Sequence, residues 1–301
     1  PDYHGRFSGN LQRLILLPVQ DWETRLRWYE EDALDILGVT YLAADAREEM
    51  RQRYASEYIV KPRLETHFLA FDVTRPPFDD AQVRRAFALA TDRAALADVA
   101  LRGDMAPASG GLTPPGMPGH VAGIAQPYDP EQARRLLARS GYPGGRGFPA
   151  LDVLAYEAVA ARNRFLQRQW EDVLGVEMRL DVVGWREFLS RLGRRPYHLV
   201  NLSWLADYPD PDNYLRVSRL RAWSAWRHDA YDQLVQEARG LTEGGERMAR
   251  YRQAEEILVR ETPILPLVYE RDHLLIKPRL RRYPMSAIRP AFWKDAVIRD
   301  A

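Results

Sequence analysis

Between residues 150 and 205 three short apolar runs alternate with helix-like stretches, and this alternation constrains the fold more than any other feature of the chain. The runs are "ALDVLAY" (150–156), "VEMRLDVV" (176–183) and "YHLVNLSWL" (197–205), each of strand length. The stretches between them, 158–173 and "WREFLSRLG" (185–193), read as helices. Strands joined through helices lie parallel as neighbours, so the expected fold class is α/β, a layered domain with parallel strand pairs.

The flanking segments fit that class. "LQRLILLPV" (11–19) predicts a buried strand. "DWETRLRWYEED" (21–32) predicts a helix, "ALDILGV" a short strand and "DAREEMRQRYA" (45–55) a polar helix. "YIVKP" and "ETHFLAFDV" predict two strands joined by a turn. In "RPPFDDAQVRRAFALATDRAALADVALRG" (75–103) the prolines stop the strand before them. Asp79 or Asp80 caps the first helix, with Val83, Phe87 and Ala90 on its apolar face. Asp92 caps the second helix and Gly103 ends it; Arg84 and Arg93 are expected to form salt links. Residues 104–128 are rich in Gly, Pro and Ser and predict a long irregular loop. A helix capped by Asp129 follows and stops at Gly141. Two further helices, 228–239 and 244–261, precede the closing apolar segment "PILPLVYERDHLLIKP".

Charge and composition exclude several function classes. The 43 basic and 42 acidic residues balance, whereas a general nucleic-acid surface needs a basic excess. There are no cysteines, which removes disulfides, thiolate metal sites and cysteine nucleophiles. The six histidines (His4, His67, His120, His198, His228, His273) show no H-x-x-x-H pair, so the expected metal set is empty. No G-x-S-x-G elbow occurs, and "GYPGGRG" (141–147) lacks the phosphate-loop lysine. No apolar stretch approaches the roughly 18 residues of a membrane span. No cofactor is implied.

The stretch "NLSWLADYPDPDNY" (201–214) is the densest candidate for a site. A predicted strand written in apolar residues ends on Asp207, beside Trp204 and Tyr208. On any fold "DYPDPDN" favours turns and caps, and that reading holds first for Asp210 and Asp212. Calcium is disfavoured, since the twelfth position from Asp210 is Arg221 rather than a glutamate. Trp185, Phe188 and Leu189 share a helical face, for which core packing is the default. Trp223 and Trp226 either line a ligand cleft or pack between helix and sheet. "RLGRR" (191–195) reads as solvated surface or as steering for an anion.

Six blocks in order carry a family resemblance: "THFLAFDVTRPPFDDAQVRRAFALATDRAAL", "YDPEQARRLLARSGYP", "WLADYPDPDNY", "YDQLVQEAR", "ERMARYRQAEEILVRETPILPLVY" and "LIKPRLRRY". Together they resemble the bacterial extracellular solute-binding proteins of family 5, the oligopeptide- and dipeptide-type receptors of ABC importers. The resemblance implies a type II-like periplasmic-binding-protein fold, two lobes around a hinge, with ligand captured by closure of the cleft. It implies that 68–271 form the C-terminal lobe, while 1–67 and 272–301 belong to the first lobe, as part and return segment. The opening "PDYHGRFSGN" matches an internal family segment, so the chain is expected to be part of a longer protein. In peptide-binding members the aspartate after "W-x-x" pairs with the ligand's α-ammonium group; here that residue is Asp207. Trp204 and Tyr208 are then flat apolar walls, and Asn201 stands where some oligopeptide receptors carry an arginine for the ligand carboxylate. The loop after "DPDNY" is also shorter than usual in the family, whose members carry peptides, sugars, opines and nickel complexes.

The resulting expectation is a monomeric, non-catalytic substrate-capture domain outside the cytoplasm, partnered by a small-molecule or peptide ligand and by importer membrane subunits. Its ligand residues would be Asp207, Trp204, Tyr208 and Asn201, with Trp223, Trp226 and Trp185 beside them. A second reading keeps the fold as a ligand sensor fused to a cytoplasmic regulator. A third, a glycosidase using Asp207, lacks any motif that places a second acid.

Overall fold

A computed structural model describes residues 8–192, 197–218, 220–282 and 293–299. The chain divides into two compact units: Pro1–Arg63 with Arg271–Ala301, and Leu64–Glu270.

In the first unit, Asp21 caps helix α1 (Trp22–Glu30) by accepting from the Thr24 amide at 2.7 Å. Strand β1 (Ile36–Gly38) and helix α2 (Ala44–Arg53) follow. Tyr29, Leu37, Val39 and Met50 are buried together with Leu275. The strand expected over 11–19 is not formed. Leu14, Ile15, Leu16 and Leu17 are 44%, 60%, 76% and 48% exposed and line a hollow of about 1560 Å³ with Trp28, Leu34 and Ile36. A strand needs a neighbour for its backbone groups, and no described residue pairs with this segment.

Strand β2 (Tyr58–Phe71) is continuous, where the sequence predicts two strands, 58–62 and 65–73, joined by a turn. Its pairing with the neighbouring strand 199–205 begins only at Glu65, so Pro62 meets no partner amide on that side. The second unit then builds α3 (Ala81–Leu89), α4 (Arg93–Ala95) widening into a turn over 96–100, β3 (Ala106–Pro107), α5 (Pro130–Arg139), β4 (Leu151–Tyr156) and α6 (Ala160–Leu174). It continues through β5 (Met178–Val183), α7 (Trp185–Arg191), β6 (Leu199–Leu205), α8 (Leu220–Ser224), α9 (Asp229–Gly240), α10 (Gly244–Glu261) and β7 (Ile264–Ile276). Strands β8 (Leu280–Arg282) and β9 (Val297–Ile298) pair in the first unit.

The main sheet runs β1-β7-β2-β6-β4-β5, with β3 added on β7. The pairs β4–β5 and β4–β6 are parallel, as the alternation predicts, and β2–β6 is antiparallel. Asp80, Asp92 and Asp129 cap their helices through bonds to Gln82, Ala95 and Gln132. Phe71, Phe78, Phe87 and Trp170 form one aromatic core, with Phe87 and Trp170 edge to face at 4.7 Å.

Arg84 and Arg93 do not form the expected salt links. Arg84 donates to the carbonyls of Phe78 and Glu261, and Arg93 to those of Pro266 and Gln126. Burial lowers the Arg93 pKa to about 10. Each guanidinium satisfies backbone carbonyls in buried or part-buried positions.

The loop 104–128 is irregular, as expected, yet much of it is buried. It is held by Glu255 of α10, 1% exposed, whose Oε1 accepts from the Thr113 amide at 2.6 Å. Gly111 permits this, because a Cβ there would lie 2.4 Å from Glu255 Cγ. Burial raises the Glu255 pKa from 4.5 to about 7, against the opposing hydrogen bonds from Thr113 and Leu112. A folded-state pKa above the unfolded one favours folding most below pH 4.5 and loses that advantage as pH rises to about 7. The difference amounts to about 3 kcal/mol. Glu255→Gln keeps an acceptor for Thr113 and removes the ionisation. Urea unfolding at pH 5 and pH 8 should show the variant losing less stability with rising pH than the wild type; parallel losses would refute the assignment.

Candidate functional site

The site is set by the last residues of β6 and the turn after them. In the β2–β6 ladder Thr66 faces Trp204, Phe68 faces Leu202, His67 faces Ser203 and Leu69 faces Asn201. Opposed residues share a face and successive residues alternate, so Trp204 and Asn201 project to opposite sides of the sheet. Ala206 donates to the Leu64 carbonyl at 2.8 Å, and Asp207 is the first residue past the ladder.

Asp207 is exposed and is positioned by Asn213, which is fully buried. Asn213 Oδ1 accepts from the Asp207 amide at 3.2 Å and from Trp204 Nε1 at 2.8 Å, while its Nδ2 donates to Asp207 Oδ2 at 3.1 Å. One amide side chain therefore fixes both the carboxylate and the indole. Trp204 lies 6.4 Å from Trp223, ring centre to centre, and Trp223 lies 6.0 Å from Phe68. Trp204 and Trp223 are both half-buried.

The other two aspartates serve the turn. Asp210 holds Arg247 through two bonds of 2.7 and 2.8 Å and accepts the Asp212 amide at 2.9 Å. Asp212 accepts from Tyr208 at 2.8 Å and from Arg216 Nε at 2.7 Å. Burial works to raise the Asp212 pKa, but the bonds from Arg216 and Tyr208 outweigh it and hold the carboxyl below its ordinary value. Tyr214 completes the corner by donating to the carbonyls of Leu64, at 2.7 Å, and Trp204, at 3.2 Å.

The structure thus gathers Asp207, Trp204 and Trp223, with Tyr208 next to them and 37% exposed. It does not add Asn201, which is fully buried on the other face between Arg162, at 2.9 Å, and Asn163, at 2.8 Å. Trp226 is buried against Tyr231, 5.0 Å away, so packing is its place. Trp185 is 57% exposed and stacks on Phe188 beside Tyr156. Arg191 pairs with Asp181 at 3.0 Å and with Glu187; residues 193–195 of "RLGRR" lie outside the described residues. Sequence reasoning missed Asn213 and Arg247. Asn213 sits within the family block but looks there like one more turn residue, and Arg247 is remote in sequence.

A mixed sheet of this order, with a parallel core, is the fold of type II periplasmic binding proteins. The unliganded open form of the murein tripeptide binding protein MppA of Escherichia coli superposes with a TM-score of 0.82 at 24% identity, covering 94% of this chain and 56% of that one. The chain belongs to the bacterial extracellular solute-binding proteins, family 5, whose middle-region model matches residues 1–225. Over 297 residues it is 27% identical to the probable deoxycholate-binding periplasmic protein YgiS of E. coli, covering 95% of this chain and 54% of that protein. Over 299 residues it is 25% identical to the periplasmic oligopeptide-binding protein OppA of E. coli, covering 94% of this chain and 54% of that protein. The chain therefore spans about half the length of these relatives.

Replacing Asn213 by Ala removes three hydrogen bonds and leaves the Trp204 indole without its acceptor. The expected cost is about 1–3 kcal/mol in urea unfolding, with a red shift of tryptophan emission. Unchanged stability and emission would show that Asn213 does not hold the site.

Proposed function

We propose that this chain is the larger part of the ligand-facing half of an ABC-importer receptor, capturing peptides or related small solutes. Leu64–Glu270 would supply the C-terminal lobe, and the first unit a portion of the other lobe. Closure follows from differential affinity: a ligand touching both lobes of the whole receptor stabilises the closed state by the contacts it makes only there. The relatives named above are binding proteins rather than enzymes, and they lend no support to a regulator fusion. The receptor would act outside the cytoplasm as a monomer that docks on membrane subunits. Among the described residues no helix is long and apolar enough to cross a membrane.

The observation that carries this reading is the exposed carboxylate of Asp207, held by Asn213 beside the indoles of Trp204 and Trp223. Asp207 would bind the ligand's ammonium group, and the rings would cover apolar carbon next to it. Such a charge-assisted bond is stronger than a neutral one. The same carboxylate separates the ligand classes in the relatives' names. A peptide presents a cationic amine, whereas deoxycholate is itself an anion and would be repelled.

Asp207→Asn preserves shape and removes the charge. In titration calorimetry trialanine should bind the variant about 10- to 100-fold more weakly. N-acetyl-trialanine, which has no amine charge, should bind both proteins equally weakly. Equal affinity of both proteins for trialanine would sink the proposal.

A further inference from the structure

On the sheet face opposite Trp204, a second group of side chains converges. Glu65 and His67 are two apart on β2 and therefore point the same way. Glu270 comes from β7, the neighbour of β2 in the sheet. His67 Nε2 lies 3.0 Å from Glu270 Oε2 and 3.9 Å from Glu65 Oε1, and all three ligand atoms fall within 4.8 Å of one another. His67 is 6% exposed and Glu270 8%, and the Glu65 side chain is 13% exposed. His67 Nδ1 is buried with no hydrogen-bond partner, so the ring turns its one engaged nitrogen toward the two carboxylates.

We propose that Glu65, His67 and Glu270 bind a divalent first-row transition metal ion. At bond lengths of about 2.0–2.2 Å, donor atoms around such an ion stand roughly 3–3.5 Å apart, so a cluster whose donor atoms lie within 4.8 Å of one another closes on the ion by a side-chain movement of about 1–2 Å at Glu65. One imidazole with two carboxylates suits zinc and its neighbours, whereas calcium and magnesium prefer oxygen alone. Three protein ligands leave a coordination position open for water or for a group on a bound solute. His67 is opposed across the ladder by Ser203, a small side chain.

The charges around the cluster make the proposal specific. Arg162 is fully buried nearby, and both Glu270 and Glu65 act to raise its pKa against the effect of burial. A metal dication there would be held by both carboxylates as well as by the imidazole. Asp207 lies past the end of β6, two residues beyond Leu205, which faces Glu65 across the ladder.

The experiment is calorimetric titration of the EDTA-treated protein with zinc chloride, paralleled by cobalt(II) absorption. With no cysteine in the chain, a cobalt spectrum here reports nitrogen and oxygen ligands only. One equivalent should bind, and His67→Gln or Glu270→Gln should weaken it at least about tenfold. His228→Asn, which keeps a helix cap elsewhere, should leave binding unchanged. Should the substituted chains fail to fold, NMR of the wild type with cobalt(II) decides the matter: one imidazole must show paramagnetic shifts that saturate at one equivalent. Absence of saturable binding, absence of such an imidazole, or binding indifferent to the His67 and Glu270 substitutions overturns the proposal.

Discussion

The antiparallel register of β2 against β6 is the constraint on which the rest depends. It runs from Glu65 opposite Leu205 to Phe71 opposite Leu199. A slip by one residue would turn every side chain of either strand to the other face. Trp204 would leave Trp223 and Asn213, and Asn201 would leave Arg162. The register is secured from both sides. Phe71 and Leu199 are buried in the main core, and Tyr214 ties the Leu64 and Trp204 carbonyls together at the corner where β6 ends.

The three aspartates of "DYPDPDN" show how one motif divides its work. Asp210 and Asp212 each have an arginine partner close at hand, and their charges stabilise the turn that carries them. A bidentate arginine pair of this kind has a geometry that a lone surface ion pair lacks. Asp207 is bonded instead to a neutral amide, which orients it without cancelling its charge. A binding carboxylate needs that combination: fixed geometry and charge left for the ligand. The turn is thus held by two of its charges, one paired within it and one with Arg247 of α10, while the third is left for the ligand contact proposed above.

Buried polar groups recur as fasteners between distant segments. Arg84 joins the start of α3 to the end of α10, and Arg93 joins α4 to β7 and to the loop before α5. Glu255 fastens the long loop, at the cost of an unfavourable ionisation near neutral pH. Such groups are hydrogen-bonded because an unsatisfied buried donor or acceptor would be more expensive than the bond is strong. In a chain with only three lysines, Lys61, Lys277 and Lys294, arginine takes this role through its planar set of donors.

What the sequence determined by itself was local. Periodicity marked the strands and helices between 150 and 205, and Asp80, Asp92 and Asp129 announced the helix starts that they cap. The ordered blocks also marked the family and singled out Asp207. These signals are legible because spacing along the chain dictates an element's face and its end groups over a few residues. Tertiary structure alone decided how elements met. It ran β2 through Pro62, left 11–19 without a strand partner, and turned Arg84 and Arg93 to carbonyls far along the chain. It placed Asn201 behind the sheet from Trp204, and brought Glu270 to His67 across more than two hundred residues. Pairing and register join residues remote in sequence, and no local pattern of residue types records which strand will lie beside which.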